Sequence, residues 1–136
     1  MKEKSLLHRQ IHPSFVVNDI VSNQAFLENG LVVSSGAFNP TEKDENKLSV
    51  YNGEKYSAKD SYEHYISNYS SYGVLSITVE EVKSTSPLFI SEDSNPFDGH
   101  CYVDFSSVLS KNQRTKKAGK LRDIAVARNW TYRPEH

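Results

Sequence analysis

The stretch from Leu6 to Phe15, LLHRQIHPSF, sets Arg9 two residues after Leu7 and two before Ile11. On a β-strand those three side chains share one face, and Leu and Ile favour burial of that face. A guanidinium there needs carboxylate, carbonyl or ligand oxygens, because burying it unpaired costs several kcal/mol. One outcome is an internal pair between Arg9 and an Asp side chain or a backbone carbonyl at the edge of the core. The other is a polar cleft in which Arg9 binds an anionic ligand with Ser35, Tyr51 and His100, His12 belonging to the same polar set.

Five histidines are present: His8, His12, His64, His100 and His136. None falls in an HExxH or HxH spacing, so no metal site is expected. If His12, His64 and His100 converged in space, they would supply the acid and base of metal-independent RNA cleavage. Each also reads as an ordinary surface or hydrogen-bonded histidine. The run Ser34-Ser35-Gly36-Ala37-Phe38 is not a GxSxG elbow, and the six glycines are scattered singly, so neither a serine-hydrolase nor a phosphate-loop nucleotide fold is expected. Cys101 is the one cysteine, which rules out an internal disulfide and a cysteine-based zinc cluster within one chain. In GHCYVDF it reads as a small buried residue.

The elements that must position these groups follow from periodicity. Residues 5–11 read as a strand stopped at His12-Pro13, since proline restrains its predecessor and donates no ladder hydrogen bond. FVV and residues 31–34 are apolar segments around an Asn29-Gly30 turn. Residues 39–47 are a charged loop, 48–51 a short strand, and Asn52-Gly53 a turn. Ser57, with Asp60 three residues on, opens a helix over about 58–70 whose Ala58, Tyr62, Tyr65, Ile66 and Tyr69 form a stripe expected to be core. Residues 73–82 alternate as a half-buried strand, 87–90 suggest another, 91–99 a loop, and 101–105 the last strand with Cys101, Val103 and Phe105 inward. A helix from about 110 to 128 docks through Ala118, Leu121, Ile124, Ala125 and Arg128, and Trp130 and Tyr132 pin the tail.

That order predicts a single α+β domain over 1–136, a mostly antiparallel sheet with two main helices at about 58–70 and 110–128. At 136 residues, 37% hydrophobic and 24% charged, the chain has one core's worth of material. No run approaches the roughly 20 apolar residues of a membrane helix, and the start lacks a long apolar signal core, so the expected location is the cytoplasm. Charge is uneven. Residues 1–106 hold 8 Lys/Arg against 15 Asp/Glu, a balance of −7, and residues 107–136 hold 8 against 2, a balance of +6. The basic helix from Lys111 to Arg128 either lies on the acidic remainder of its own domain or offers a nucleic-acid surface.

Taken in order, HRQIHPSFVV, SSGAF, KLSVY, YGVLSITV and NPFDGHCYVDF resemble a widespread family of small, uncharacterised bacterial proteins. Its members share an RxIHP start, an SSxAF step, an LSV or MSV strand and an NPxHA-type element before the last strand. Here His100 follows Asn95-Pro96 after Phe97, Asp98 and Gly99, a longer gap than that pattern has. More distantly, an Arg on the first strand with Ser- and Tyr-bearing strands resembles RES-type and ADP-ribosyltransferase-like domains. That resemblance implies NAD, with Arg9 on the phosphates, Ser35 and Tyr51 on the nicotinamide side, and a glutamate for which Glu63, Glu80 and Glu81 are candidates. The leading expectation is an accessory or binding domain that takes a protein partner or a small anionic ligand without a cofactor. The alternatives are an NAD-using enzyme and a metal-independent ribonuclease.

Overall fold

The apolar alternation at the start of the chain forms β1 (Leu6–Ile11), and Pro13, which cannot continue the ladder, leads into a 3₁₀ turn at Pro13–Phe15. The computed structural model describes residues 1–17, 24–26 and 32–134. The Asn29-Gly30 turn lies outside the described residues. Around it, β2 (Val16–Val17), β3 (Gln24–Phe26) and β4 (Val32–Ser34) form a small antiparallel sheet in the order β2-β4-β3.

After a 3₁₀ turn at Ser35–Phe38 and another at Glu42–Asp44 come β5 (Lys47–Asn52), α1 (Ala58–Ile66), β6 (Gly73–Thr78), α2 (Val79–Ser84), β7 (Phe89–Ser91), β8 (His100–Asp104) and α3 (Lys111–Arg128). The main sheet runs β6-β1-β5-β8-β7, antiparallel throughout. This is a single α+β architecture with a five-stranded sheet. No helix among the described residues is long and apolar enough to cross a membrane.

The strand expected over 73–82 stops at Thr78. Thr78 accepts from Glu81 N at 3.1 Å while the Glu81 carboxylate takes the Thr78 N–H at 2.7 Å, a reciprocal cap that starts α2 in place of further strand. Leu75, Ile77, Leu7 and Ile11 meet α3 residues Leu121 and Ala125 in one buried cluster with Phe38, Val103 and Phe105. Burial at roughly 20–33 cal/mol per Å² of apolar surface makes this cluster the main source of stability. Cys101 is buried and free, and burial pushes its thiol up to about 11.

Helix α1 departs from expectation in a way that matters for the site: it ends at Ile66 instead of about residue 70, where Ser67 caps it. Ser61 is its buried residue, whereas Ile66 is 43% exposed and Tyr69, beyond its end, 66%. Gln10 Nε2 donates to Ser61 Oγ at 2.9 Å, so the helix docks on β1 through a polar contact and its aromatic stripe is turned away from the core. At the tail, Trp130 stacks near Tyr72, Tyr132 near Tyr62, and Tyr132 bridges to Val74.

Candidate functional site

The site begins where a ladder stops. β1 pairs with β6 along its whole length, from Leu6–Thr78 to Ile11–Gly73, and β5 pairs with β8 from Lys47–Asp104 to Tyr51–His100. Between them, β1 and β5 pair only at Leu7–Asn52 and His8–Tyr51, closed at the far end by Gly53 N–H to the Leu6 carbonyl at 2.8 Å. A Cβ on Gly53 would stand 2.3 Å from that carbonyl oxygen, so the closed end of the fork requires glycine.

Arg9 is the next residue along β1, at the point where the strands part. Its Nε donates to the Ala37 carbonyl at 2.9 Å and its Nη1 to the Ser49 carbonyl of β5 at 3.0 Å. The guanidinium thus takes over the hydrogen bonding that the ladder gives up. It has five N–H donors. No described residue accepts from Nη2, and no described carboxylate forms an ion pair with Arg9; burial lowers its pKa, opposed by Tyr65 and Asp44. By register Arg9 shares the apolar face with Leu7 and Ile11, yet it also lines a cavity on the side of His8, Tyr51 and His100. The parted strands allow both.

That cavity encloses about 530 Å³. Its floor is a cross-strand row, His8–Tyr51–His100, set by the registers of β1, β5 and β8. One wall is α1 and the residues after it, through His64, Tyr65 and Tyr69, and another is Phe97 in the loop before β8. Phe97 lies 5.0 Å from Tyr51, 4.5 Å from His64 and 5.4 Å from His100, ring centre to ring centre. The loop is held by Gly99, at φ +99°, whose carbonyl accepts from Asn52 N at 2.8 Å; a side chain there would strike the Tyr56 ring.

The three floor residues differ in what they have left to offer. His8 Nε2 meets the Tyr56 carbonyl at 3.1 Å, which can only accept, and Nδ1 meets Ser76 Oγ at 2.8 Å. Both ring nitrogens are engaged, and burial lowers its pKa. Tyr51 meets His64 Nδ1 at 2.8 Å; burial, then neighbouring Tyr56, Tyr65 and Tyr69, push its hydroxyl pKa up, so it stays protonated. His100 Nδ1 lies 2.6 Å from Asp93 Oδ1. An ionised carboxylate only accepts, so Nδ1 carries a hydrogen, and in the neutral ring Nε2 is the nitrogen with the lone pair.

A second cavity of about 280 Å³ adjoins the first, sharing Ser49 and His100, and is lined also by Lys43, Asp44, Glu45, Lys47, Asp93 and Tyr102. Among the described residues no three His, Cys, Asp or Glu side chains are grouped to hold a metal ion.

Of the residues singled out from sequence, Arg9, Tyr51 and His100 line the larger cavity together, with His64 from the histidine set. His12 does not; it is exposed and caps the turn at Pro13–Phe15, accepting from Ser14 N at 3.1 Å. Ser35 is not a lining residue either. The SSGAF step contributes instead through its backbone, since the turn at Ser35–Phe38 presents the Ala37 carbonyl to Arg9. Glu63, Glu80 and Glu81 line neither cavity.

Helical spacing assigns Tyr65 and Tyr69 to the core, and nothing in the sequence singles out Phe97 or Asp93. The spacing of Tyr65 and Tyr69 reads as core, but the Gln10–Ser61 and Tyr51–His64 contacts turn this segment's rings toward the cavity. Of the basic helix, Arg128 and Arg114 are spent within the domain, on Glu81 and Glu42, while Lys111, Lys116 and Lys120 are exposed. No family model, no curated protein and no solved structure matches this chain.

Proposed function

We propose that the chain is a binding domain for a small phosphate-bearing aromatic anion, a ligand of the nucleotide class, held in the fork between β1 and β5. One observation carries this reading: the Arg9 guanidinium is fixed by two carbonyls, lacks a carboxylate partner among the described residues, and borders an aromatic-walled cavity. A guanidinium edge pairs naturally with phosphate oxygens, and its prior fixation lowers the entropy lost on binding. Tyr65, Tyr69 and Phe97 supply ring surface, and stacking contributes roughly 1–3 kcal/mol per base. A volume of about 530 Å³ falls within the usual span for small-molecule sites.

Titration calorimetry with AMP, ADP-ribose and inorganic phosphate tests it. Arg9→Ala is expected to weaken binding of all three by about 2–5 kcal/mol, the usual cost of truncating a hydrogen-bonded charge. Tyr69→Ala is expected to weaken AMP and spare inorganic phosphate. Absence of heat from every anion on the wild-type chain removes the reading.

A second reading, an NAD-using enzyme, draws support from the two adjoining cavities. They give room for a two-part ligand, and the smaller one is lined by the carboxylates Glu45 and Asp93, the residue type that such chemistry uses beside a ribose. Incubation with NAD followed by measurement of free nicotinamide decides it; no release above background at high protein concentration ends it.

A further inference from the structure

Anion binding makes no use of two hydrogen-bonded titratable pairs in the cavity, His100 with Asp93 at 2.6 Å and His64 with Tyr51 at 2.8 Å. Both imidazoles stand against one ring, Phe97, and both border the cavity that Arg9 enters. We propose that this site cleaves a ribonucleotide phosphodiester, with His100 as base, His64 as acid and Arg9 as the cation on the phosphate. The inference rests on the nucleotide reading above and goes beyond it by naming a reaction.

The chemistry matches the groups present. A phosphodiester beside a ribose 2′-hydroxyl carries its own nucleophile, so the protein needs to supply only a base, an acid and charge stabilisation. His100 Nε2, left with its lone pair because Asp93 holds Nδ1–H, takes the proton of the 2′-hydroxyl. The 2′ oxygen forms a bond to phosphorus as the bond from phosphorus to the 5′ oxygen breaks. Protonated His64 gives its proton to that departing 5′ oxygen. The products are a 2′,3′-cyclic phosphate and a free 5′-hydroxyl; one proton has moved onto His100 and one off His64, which exchange with solvent resets. The negative charge that grows on the phosphoryl oxygens faces the Arg9 edge that no described residue occupies. Asp93 acts through His100 as a positioning residue, fixing its tautomer.

The probe is a dinucleoside monophosphate, cytidylyl-(3′→5′)-adenosine, incubated with the full chain in chelator and followed by chromatography and mass spectrometry. The wild type is expected to form cytidine 2′,3′-cyclic phosphate and adenosine, and to leave the 2′-deoxy analogue intact. His100→Ala and His64→Ala are each expected to slow cleavage by roughly 10²–10⁴-fold. His100→Gln, which keeps a hydrogen bond for Asp93, should be as slow as His100→Ala while still binding the 2′-deoxy analogue, which separates loss of the base from loss of folding. Calorimetry with the deoxy analogue separates the two proposals. Arg9-dependent binding of that analogue without cleavage of the ribonucleotide overturns this inference and leaves the binding reading standing. Absence of binding removes both. Equal cleavage by wild type and both histidine variants assigns the activity elsewhere and overturns the inference.

Discussion

Arg9 and Arg128 are the same side chain put to opposite uses. Arg128, near the end of α3, gives two 2.9 Å hydrogen bonds to the Glu81 carboxylate and one to the Ser76 carbonyl, tying α3 to α2 and β6. Arg114 at the other end of the same helix reaches the Val108 carbonyl at 2.8 Å and Glu42 at 3.3 Å. These two arginines of α3, then, are closed by the chain's own carboxylates. At the fork, Arg9 receives two carbonyls and no carboxylate among the described residues. A carbonyl fixes geometry without cancelling charge, so a guanidinium held this way is both rigid and electrostatically unspent. That one difference in partner type separates the two arginines.

Substituting each by Leu sharpens the contrast, and the larger effect belongs to the fork. Arg9→Leu is expected to remove most anion binding, again about 2–5 kcal/mol, whereas Arg128→Leu leaves binding unchanged. In urea denaturation Arg128→Leu is expected to lose about 1 kcal/mol, the upper range for a well-formed pair that is still partly exposed. Equal losses of binding in the two variants would erase the distinction between a spent and an unspent guanidinium.

Much of this was legible in the chain. Leu7, Arg9 and Ile11 at alternate positions were enough to pose the problem that Arg9 solves, and the periods of β5, β8 and α3 place their elements within a residue or two. The illegible parts share a physical cause: they depend on contacts between residues whose types single out no partner. Val79 continues the apolar alternation of Leu75 and Ile77, yet the Thr78–Glu81 cap wins because it satisfies two backbone donors at once. Tyr65 and Tyr69 have core-like spacing, yet Ser61 meeting Gln10 across 51 residues and His64 meeting Tyr51 set α1 with a polar side on the sheet. His12 reads as a member of Arg9's polar set. On a strand that ends at Ile11, the following proline turn carries His12 out to solvent instead.

The smallest expected effect lies in how acid loosens the two regions. Burial lowers the His8 pKa beneath its ordinary 6.5, so between the folded and unfolded values the unfolded chain binds the additional proton. Stability from this group is therefore complete above about pH 6.5 and is lost as pH falls through that value. At the clamp, burial alone would raise the Glu81 carboxyl, but Arg128 and the Thr78 N–H outweigh it and hold it below its ordinary 4.5. Its contribution persists above that value and fades only as pH falls beneath it. The fork and the clamp should thus loosen in separate windows, the fork first. Unfolding free energies measured at about pH 7.5, 5.5 and 3.5 are expected to show His8→Gln flattening the upper step and Arg128→Leu the lower. His8 sits under the cavity beside Arg9, so identical slopes for wild type and His8→Gln across the upper step would mean that the floor of the fork does not exclude water as its geometry requires.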